Sequence, residues 1–372
     1  MATVRRPDPT TQTTLPPADG PEGSGSTLRR LAPRFAAGLV LAILVVSGLA
    51  LFGDARQLGT ALREFDWWLA VLVLGLTLFN YALRFYKWEI YLRRLAIPRL
   101  PLLTSALIFL AGFSMSLTPG KVGELIKGLL VRRLTGTPVS RTTAIVAAER
   151  VTDGLAMLAL AGLGVAQFAY GRTLLAIAFV AALAVVLLLG RPRLLTAVLV
   201  RLDGLPLVGK VLEHAVAFLE ASHALYQPRL LAGMIGIGVV SWAGECLAFF
   251  LVLRGLGVDG GWHLLLVAMF VLTVSSVFGA LSMLPGGLGV AEASVTGMLL
   301  LLVEDGSMTR SVAVAATLLI RFATLWFAVI LGVAALGLLQ RRVARGTAMK
   351  ERHAPGGFES VDSFDGKVGK AT

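Results

Sequence analysis

The chain has 372 residues, of which 56% are hydrophobic and only 15% charged, with a mean hydropathy of +0.80. That composition excludes a soluble globular protein and describes a polytopic membrane protein. The net charge of +12 would suit nucleic acid, but the basic residues are scattered in short loops between apolar runs, so anionic lipid headgroups are the expected partner and nucleic acid is not. The single cysteine, Cys246, excludes an intrachain disulfide and a cysteine metal cluster, and the histidines are too dispersed to suggest a metal site.

Residues 1–30, rich in Thr, Pro and Gly, read as a disordered cytoplasmic tail. The apolar run at 35–53 lies far from the start, and no small-residue cleavage site follows at Gly53-Asp54. It reads as an uncleaved first span rather than a signal peptide. The second span, 67–90, closes with NYALRFYKWEIYLRRL. An aromatic belt and snorkelling side chains explain most of that run, and Arg84 could also neutralise a lipid phosphate at the cytoplasmic mouth.

An apolar stretch at 102–131 is interrupted by SLTPGKVGE at 116–124. A helix is expected to begin just after Pro119-Gly120. Lys121, Glu124 and Lys127, spaced three apart, would follow one face of it. Its free N–H groups and positive dipole end, flanked by two lysines, would make a phosphate cradle, with Glu124 paired to either lysine. The alternative is a helix cap with a snorkelling lysine.

The span at 142–169 carries AERVTD. Glu149 and Asp153 are four apart on one face with Arg150 beside them, roughly 12–17 Å into the span at 1.5 Å per residue. A charge at the bilayer centre costs about 2.5–3.5 kcal/mol, so these three are not expected to stay unpaired. They form either an internal ion-pair network or a substrate site, and Arg150 is the better substrate candidate.

A span at 173–190 and a cytoplasmic connector at 191–228 follow; the connector contains VLEHAVAFLEASHALY, read as an amphipathic helix on the membrane surface. The span at 229–253 holds Glu245 near its outer end. The stretch 262–303 contains SMLPGGLGVAE, in which Pro285, Gly286, Gly287 and Gly289 let the backbone turn and approach a ligand, with Glu292 one turn later. Arg321 lies about ten residues into the last span, 311–339. Glu292 and Arg321 pair across the break, or Arg321 reaches a phosphate; the glycines could instead serve only tight packing. Residues 341–372 read as a second tail.

Two broken, charged segments in corresponding positions of two halves point to a transporter-type site. With the N-terminus inside and each motif stretch returning to its own side, cytoplasmic segments hold 25 of the 34 basic residues. The outer loops hold five (Arg56, Arg63, Arg172, Arg254, Arg310) and the membrane holds Lys121, Lys127, Arg150 and Arg321. Both termini are then cytoplasmic. The expected fold is all-α: about six spanning helices plus two re-entrant hairpins, as an inverted repeat of 67–190 and 229–339 within a transmembrane domain at 31–340. The hairpin tips would meet near the midplane. On that geometry, Gly120→Leu and Gly286→Leu should block transport while leaving the fold largely intact.

With TPGKVGELIK (118–127), AERVTD (148–153), LPGGLGVAE (284–292) and the arginine of IRFATLW (320–326), the chain resembles the lysylphosphatidylglycerol synthase transmembrane-region family, over roughly residues 35–340. It departs from the family in Ser114 and Ser116, where Asn is frequent, and in Lys127, where Arg often follows the Glu. The resemblance implies a flippase-like domain of the cytoplasmic membrane that moves a lipid with a charged or glycosylated headgroup between leaflets. The soluble aminoacyltransferase domain of the full synthases is missing from this sequence, so lipid aminoacylation by this chain alone is not expected.

The leading expectation is a lipid flippase or transporter. Lys121, Arg150 and Arg321 would neutralise a phosphate, and Glu124, Glu149 and Glu292 would position those cations, contact a cationic headgroup or carry a coupling proton. The expected partner is a membrane phospholipid or lipid-linked substrate; a second copy and a separate lipid-modifying enzyme stay open. No nucleotide motif, metal motif or cofactor signature is present, so no cofactor and no enzyme activity are expected. The alternatives are an intramembrane lipid-phosphate transferase and a non-transporting accessory subunit.

Overall fold

The computed structural model describes residues 22–118, 124–165, 208–303 and 306–352, with scattered positions between 173 and 184. Among these residues every regular element is helical, as a chain crossing lipid requires, because a helix satisfies its own backbone groups. Most of the expected span at 173–190, and the first part of the connector, lie outside the described residues.

α1 (Glu22–Phe52) begins inside the segment read from sequence as a tail. It ends at Gly53 and Asp54, where Asp54 takes a φ of 58° and its carboxylate accepts the Arg56 N–H at 3.0 Å. That cap starts α2 (Ala55–Glu64) at 94° to α1, so the first span is bent, not straight. α3 (Trp67–Arg94) is capped in the same way by Asp66 on the Trp68 N–H. α4 (Leu102–Ala111) tightens into a 3-10 turn over Gly112–Met115. α5 (Ile126–Thr135) stops at Gly136, whose left-handed φ of 73° closes the helix through the Arg132 carbonyl. α6 (Val139–Val165) follows, then α7 (Val208–Leu225), α8 (Pro228–Gly255), α9 (Trp262–Leu281), α10 (Val290–Leu302) and α11 (Arg310–Arg321). A π turn at Phe322–Trp326 leads into α12 (Phe327–Arg352), which continues past 340 into the segment read as the second tail.

Five stretches are long and apolar enough to cross a membrane: Trp67–Arg94, Pro228–Gly255, Trp262–Leu281, Pro285–Leu302 and Arg310–Arg342. The bent α1–α2 pair makes a sixth. α6 has the length, at 27 residues, but its four charges, Arg141, Glu149, Arg150 and Asp153, set it apart in composition. The motif stretches differ from each other. The first has short arms, Leu102–Met115 and Ile126–Thr135. In the second, the 20 residues of α9 reach about 30 Å, the hydrocarbon thickness, which is longer than a shallow re-entrant hairpin needs.

α8 packs along α3, α6 and α9, and α6 touches α5, α7, α8 and α9, which places α6 and α8 centrally. Two apolar cores flank them. One joins Phe249, Leu253, Val267, Val271, Leu299 and Ile320; the other joins Trp88, Tyr91, Phe109, Val131, Ile145 and Leu225. α7 thus packs Leu219, Ala221 and Leu225 inward, as its amphipathic pattern suggested.

Small residues set the closest crossings. A methyl group at Gly332 on α12 would lie 2.8 Å from the Phe113 carbonyl carbon and 2.9 Å from the Leu110 oxygen, and against the Ser114 nitrogen. These neighbours are backbone and cannot yield, so Gly332→Ala should lower the melting temperature of the purified protein, consistent with an overpacking cost of about 1–3 kcal/mol. An unchanged melting temperature would contradict this crossing.

Candidate functional site

The charges expected on α6 are indeed drawn together at mid-helix, each with a partner from another segment. Lys127, at the start of α5, reaches Glu149 with Nζ 2.6 Å from Oε2, and both side chains are buried. The ammonium also sits over the Trp88 and Phe109 rings, at 4.8 and 5.4 Å from their centroids. Arg150 places Nη2 2.9 Å from Glu124 Oε2. Asp153 holds two cations from α3: Lys87 at 2.6 Å through Oδ1 and Arg84 at 3.5 Å through Oδ2. Lys87 also donates to Thr152 at 2.9 Å, and Tyr91 lies 3.4 Å from the same hydroxyl.

Among the described residues four cations therefore meet three carboxylates, an excess of one positive charge. The pairing is uneven. Lys127 and Lys87 are sealed in. Arg150 keeps 31% of its side chain exposed, and its Nε and Nη2 find no hydrogen-bond acceptor of suitable geometry among the described residues. Glu149 Oε1 and Asp153 Oδ2 also lack a hydrogen-bond donor there. Arg84, the looser of the two cations on Asp153, lies over the Phe113 ring at 5.5 Å.

The second break is built differently. Leu284 to Leu288 make a short 3-10 turn with Gly286 at φ 61°. Glu292 then reaches back to cap α10, with Oε2 accepting the Gly289 N–H at 2.7 Å. Its other oxygen takes the Arg321 Nε–H at 2.6 Å, and Arg321 Nη2 donates to the Gly286 carbonyl at 2.8 Å. Arg321 thus pairs with Glu292, the first of the two expected arrangements, and ties the break to α11. The breaks also touch: a methyl group at Gly286 would lie 3.2 Å from Leu117 Cδ2, and Leu117 and Leu288 share one buried cluster with Leu325. Pro285 approaches Gly38 of α1 at the same point.

Several expectations change. Pro119, Gly120 and Lys121 lie outside the described residues. The helix start expected just after Pro119-Gly120 therefore lies there too; among the described residues α5 starts at Ile126 after a 3-10 turn at Glu124–Leu125, so Lys127 is in the helix and Glu124 precedes it. Arg84 joins the internal cluster through Asp153 rather than standing at a membrane mouth. Lys87, counted among cytoplasmic charges, is 1% exposed and belongs to the same cluster. Its signal was the spacing to Arg84: three residues apart, the two share a helix face. The aromatic run around them masked it.

A cavity of about 270 Å³ lies beyond this cluster on α3, lined by Glu89, Arg93, Arg99 and neighbouring apolar residues.

The profile of the lysylphosphatidylglycerol synthase transmembrane region matches residues 37–332. The chain belongs to this family. It is also 24% identical over 322 residues to a UPF0104 membrane protein of Methanothermobacter thermautotrophicus, a match covering 78% of this chain and 90% of the relative. A second UPF0104 membrane protein from that organism is 23% identical over 328 residues, covering 80% and 93%. All the charged residues of the two clusters fall within the family match. The chain is a multi-pass membrane protein of this family.

Proposed function

We propose that this family member is a lipid flippase of the cytoplasmic membrane, moving an anionic, aminoacylated or glycosylated lipid between leaflets. The observation that supports it best is the charge around Arg150: a guanidinium at mid-helix with 31% of its side chain exposed, in a cluster where, among the described residues, four cations meet three carboxylates. A lipid phosphate supplies the missing negative charge and accepts from the exposed part of the guanidinium. A purely structural network would be expected to balance its charges, as Lys127 with Glu149 does pairwise.

The two breaks then act as the elements that separate as the lipid passes, and the repeat of their sequence fits two halves moving against each other. The protein's own groups bind and release the lipid without covalent chemistry. Reconstitution into liposomes with fluorescent phosphatidylglycerol, its lysyl ester and a glycosylated lipid tests this. Translocation no faster than in protein-free vesicles for every lipid would reject it. Arg150→Ala combined with Glu124→Gln, which avoids stranding the buried Glu124 carboxylate, should return translocation to the protein-free rate while keeping normal protein levels.

In this reading the termini and the loop after α5 face the cytoplasm. In a Cys246→Ala background, Arg133→Cys should resist an impermeant thiol reagent in intact cells and react in inverted vesicles. Arg133 is exposed and avoids the strained Gly136. Labelling from outside would overturn the orientation.

A further inference from the structure

One buried carboxylate takes no part in the pairing above. Glu245, on α8, is 3% exposed, and its one hydrogen bond among the described residues is from the Thr77 hydroxyl at 3.4 Å. Among the described residues no Lys, Arg or His nitrogen comes within 4.0 Å of it. It lies ten residues from Gly255, the end of α8, so about 15 Å along a helix of crossing length, further from that end than the sequence reading put it. The surrounding polar groups are spoken for: Asn80 Nδ2 donates to the Ser241 carbonyl at 3.0 Å and the Ser241 hydroxyl to the Asn80 carbonyl at 3.3 Å. An ionised carboxylate in that setting has neither a countercharge nor enough donors, and such a group takes up a proton instead.

The charges around it are few. On α8 itself there are Cys246 beside it and Arg229 and Arg254 towards the ends. α9 carries only His263, in its first turn, and α11 only Arg310 and Arg321 at its two ends, the latter bound to Glu292. α6 offers Glu149, Arg150 and Asp153, each paired, and the exposed Arg141 near its start. α3 offers Tyr81, whose hydroxyl donates to the Thr324 carbonyl, Lys87, sealed on Asp153, and Arg84. Arg84 stands seven residues after Thr77, two turns along the same helix face. It is also the loosely held cation of the cluster, at 3.5 Å from an Asp153 already neutralised by Lys87.

Counting Glu245 changes the balance of the polar centre. With Glu245 neutral the cluster keeps its one excess positive charge; with Glu245 ionised the excess vanishes, and Arg84 is the cation that would turn to it.

We propose that Glu245 is a proton-binding site whose occupancy decides whether Arg84 is available to an anionic lipid. Proton uptake converts the carboxylate to the carboxylic acid and leaves Arg84 for a phosphate. Proton release returns Arg84 to Glu245 and expels the anion. The first half stands on the burial of Glu245; the second rests on the lipid reading above.

Two measurements on the full chain in nanodiscs separate the halves. Infrared spectroscopy at neutral pH should show a protonated-carboxyl C=O band that Glu245→Gln, a neutral isostere, removes. Absence of the band, or its survival in the variant, overturns the proton site. Binding of short-chain phosphatidylglycerol, with phosphatidylcholine as the uncharged reference, should weaken by up to about tenfold per pH unit in the range where Glu245 ionises, one linked proton giving that slope. Glu245→Gln should bind with little pH dependence. A wild-type pH dependence in the variant overturns the coupling. Failure of both proteins to bind the anionic lipid at any pH rejects the lipid reading, while the infrared band still decides the proton site.

Discussion

Glu149→Ala should be among the most destabilising single substitutions in this chain. It strands the Lys127 ammonium at 3% exposure with no carboxylate, only the Trp88 and Phe109 rings beside it. Removing one partner of a buried ion pair costs about 3–5 kcal/mol, because the other charge stays buried and uncompensated. The purified variant should melt well below the parent and accumulate poorly in the membrane. Lys127→Met combined with Glu149→Leu removes both charges and keeps the volume, and should recover most of the loss. If the double variant is no more stable than Glu149→Ala, the loss came from packing and not from the stranded charge.

Gly286→Leu should unfold the second break rather than only obstruct it. The residue is buried, sits at φ 61°, and faces Leu117 and Leu325 at 3.2 and 3.3 Å from where a methyl group would begin. A side chain in the left-handed region costs about 1–2 kcal/mol, and overpacking about 1–3 kcal/mol more. The sequence alone led to the opposite expectation, a blocked but folded protein, because a Pro-Gly tip reads as the lining of a cavity. Gly286→Ala, which meets the strain with little of the bulk, should fall between the two. A Leu variant that melts like the parent would show that the break is open.

The legible part of this protein was the part written in composition and spacing. Long apolar runs predicted α3, α8 and the α11–α12 span nearly to their ends, since in lipid a helix of crossing length is the only economical solution. Glu149, Arg150 and Asp153 were recognised as a cluster because three charges in five residues at mid-span demand partners. The partners themselves were hidden. Nothing in the sequence says that Lys127 turns across to Glu149, or that α3 delivers Lys87 and Arg84 to Asp153, because those contacts depend on how helices cross. Glu245 was noticed, but its isolation is a property of its neighbours. The crossing at Gly332 was invisible for the same reason: one glycine in an apolar run looks like any other until a second backbone lies against it.

The π turn at Phe322–Trp326 divides two fixed demands on one continuous rod. Arg321, at its upstream edge, must point at Glu292 and Gly286, while Gly332, downstream, must face the backbone at Phe113 and Ser114. A π turn holds one residue more than an α turn, which offsets everything after it by about 100° around the axis. Deleting a single residue within the turn would restore regular α geometry and swing one of those two faces off its target by that angle. The irregularity therefore works as a phase adjuster, letting one helix keep two appointments that an unbroken spiral would miss.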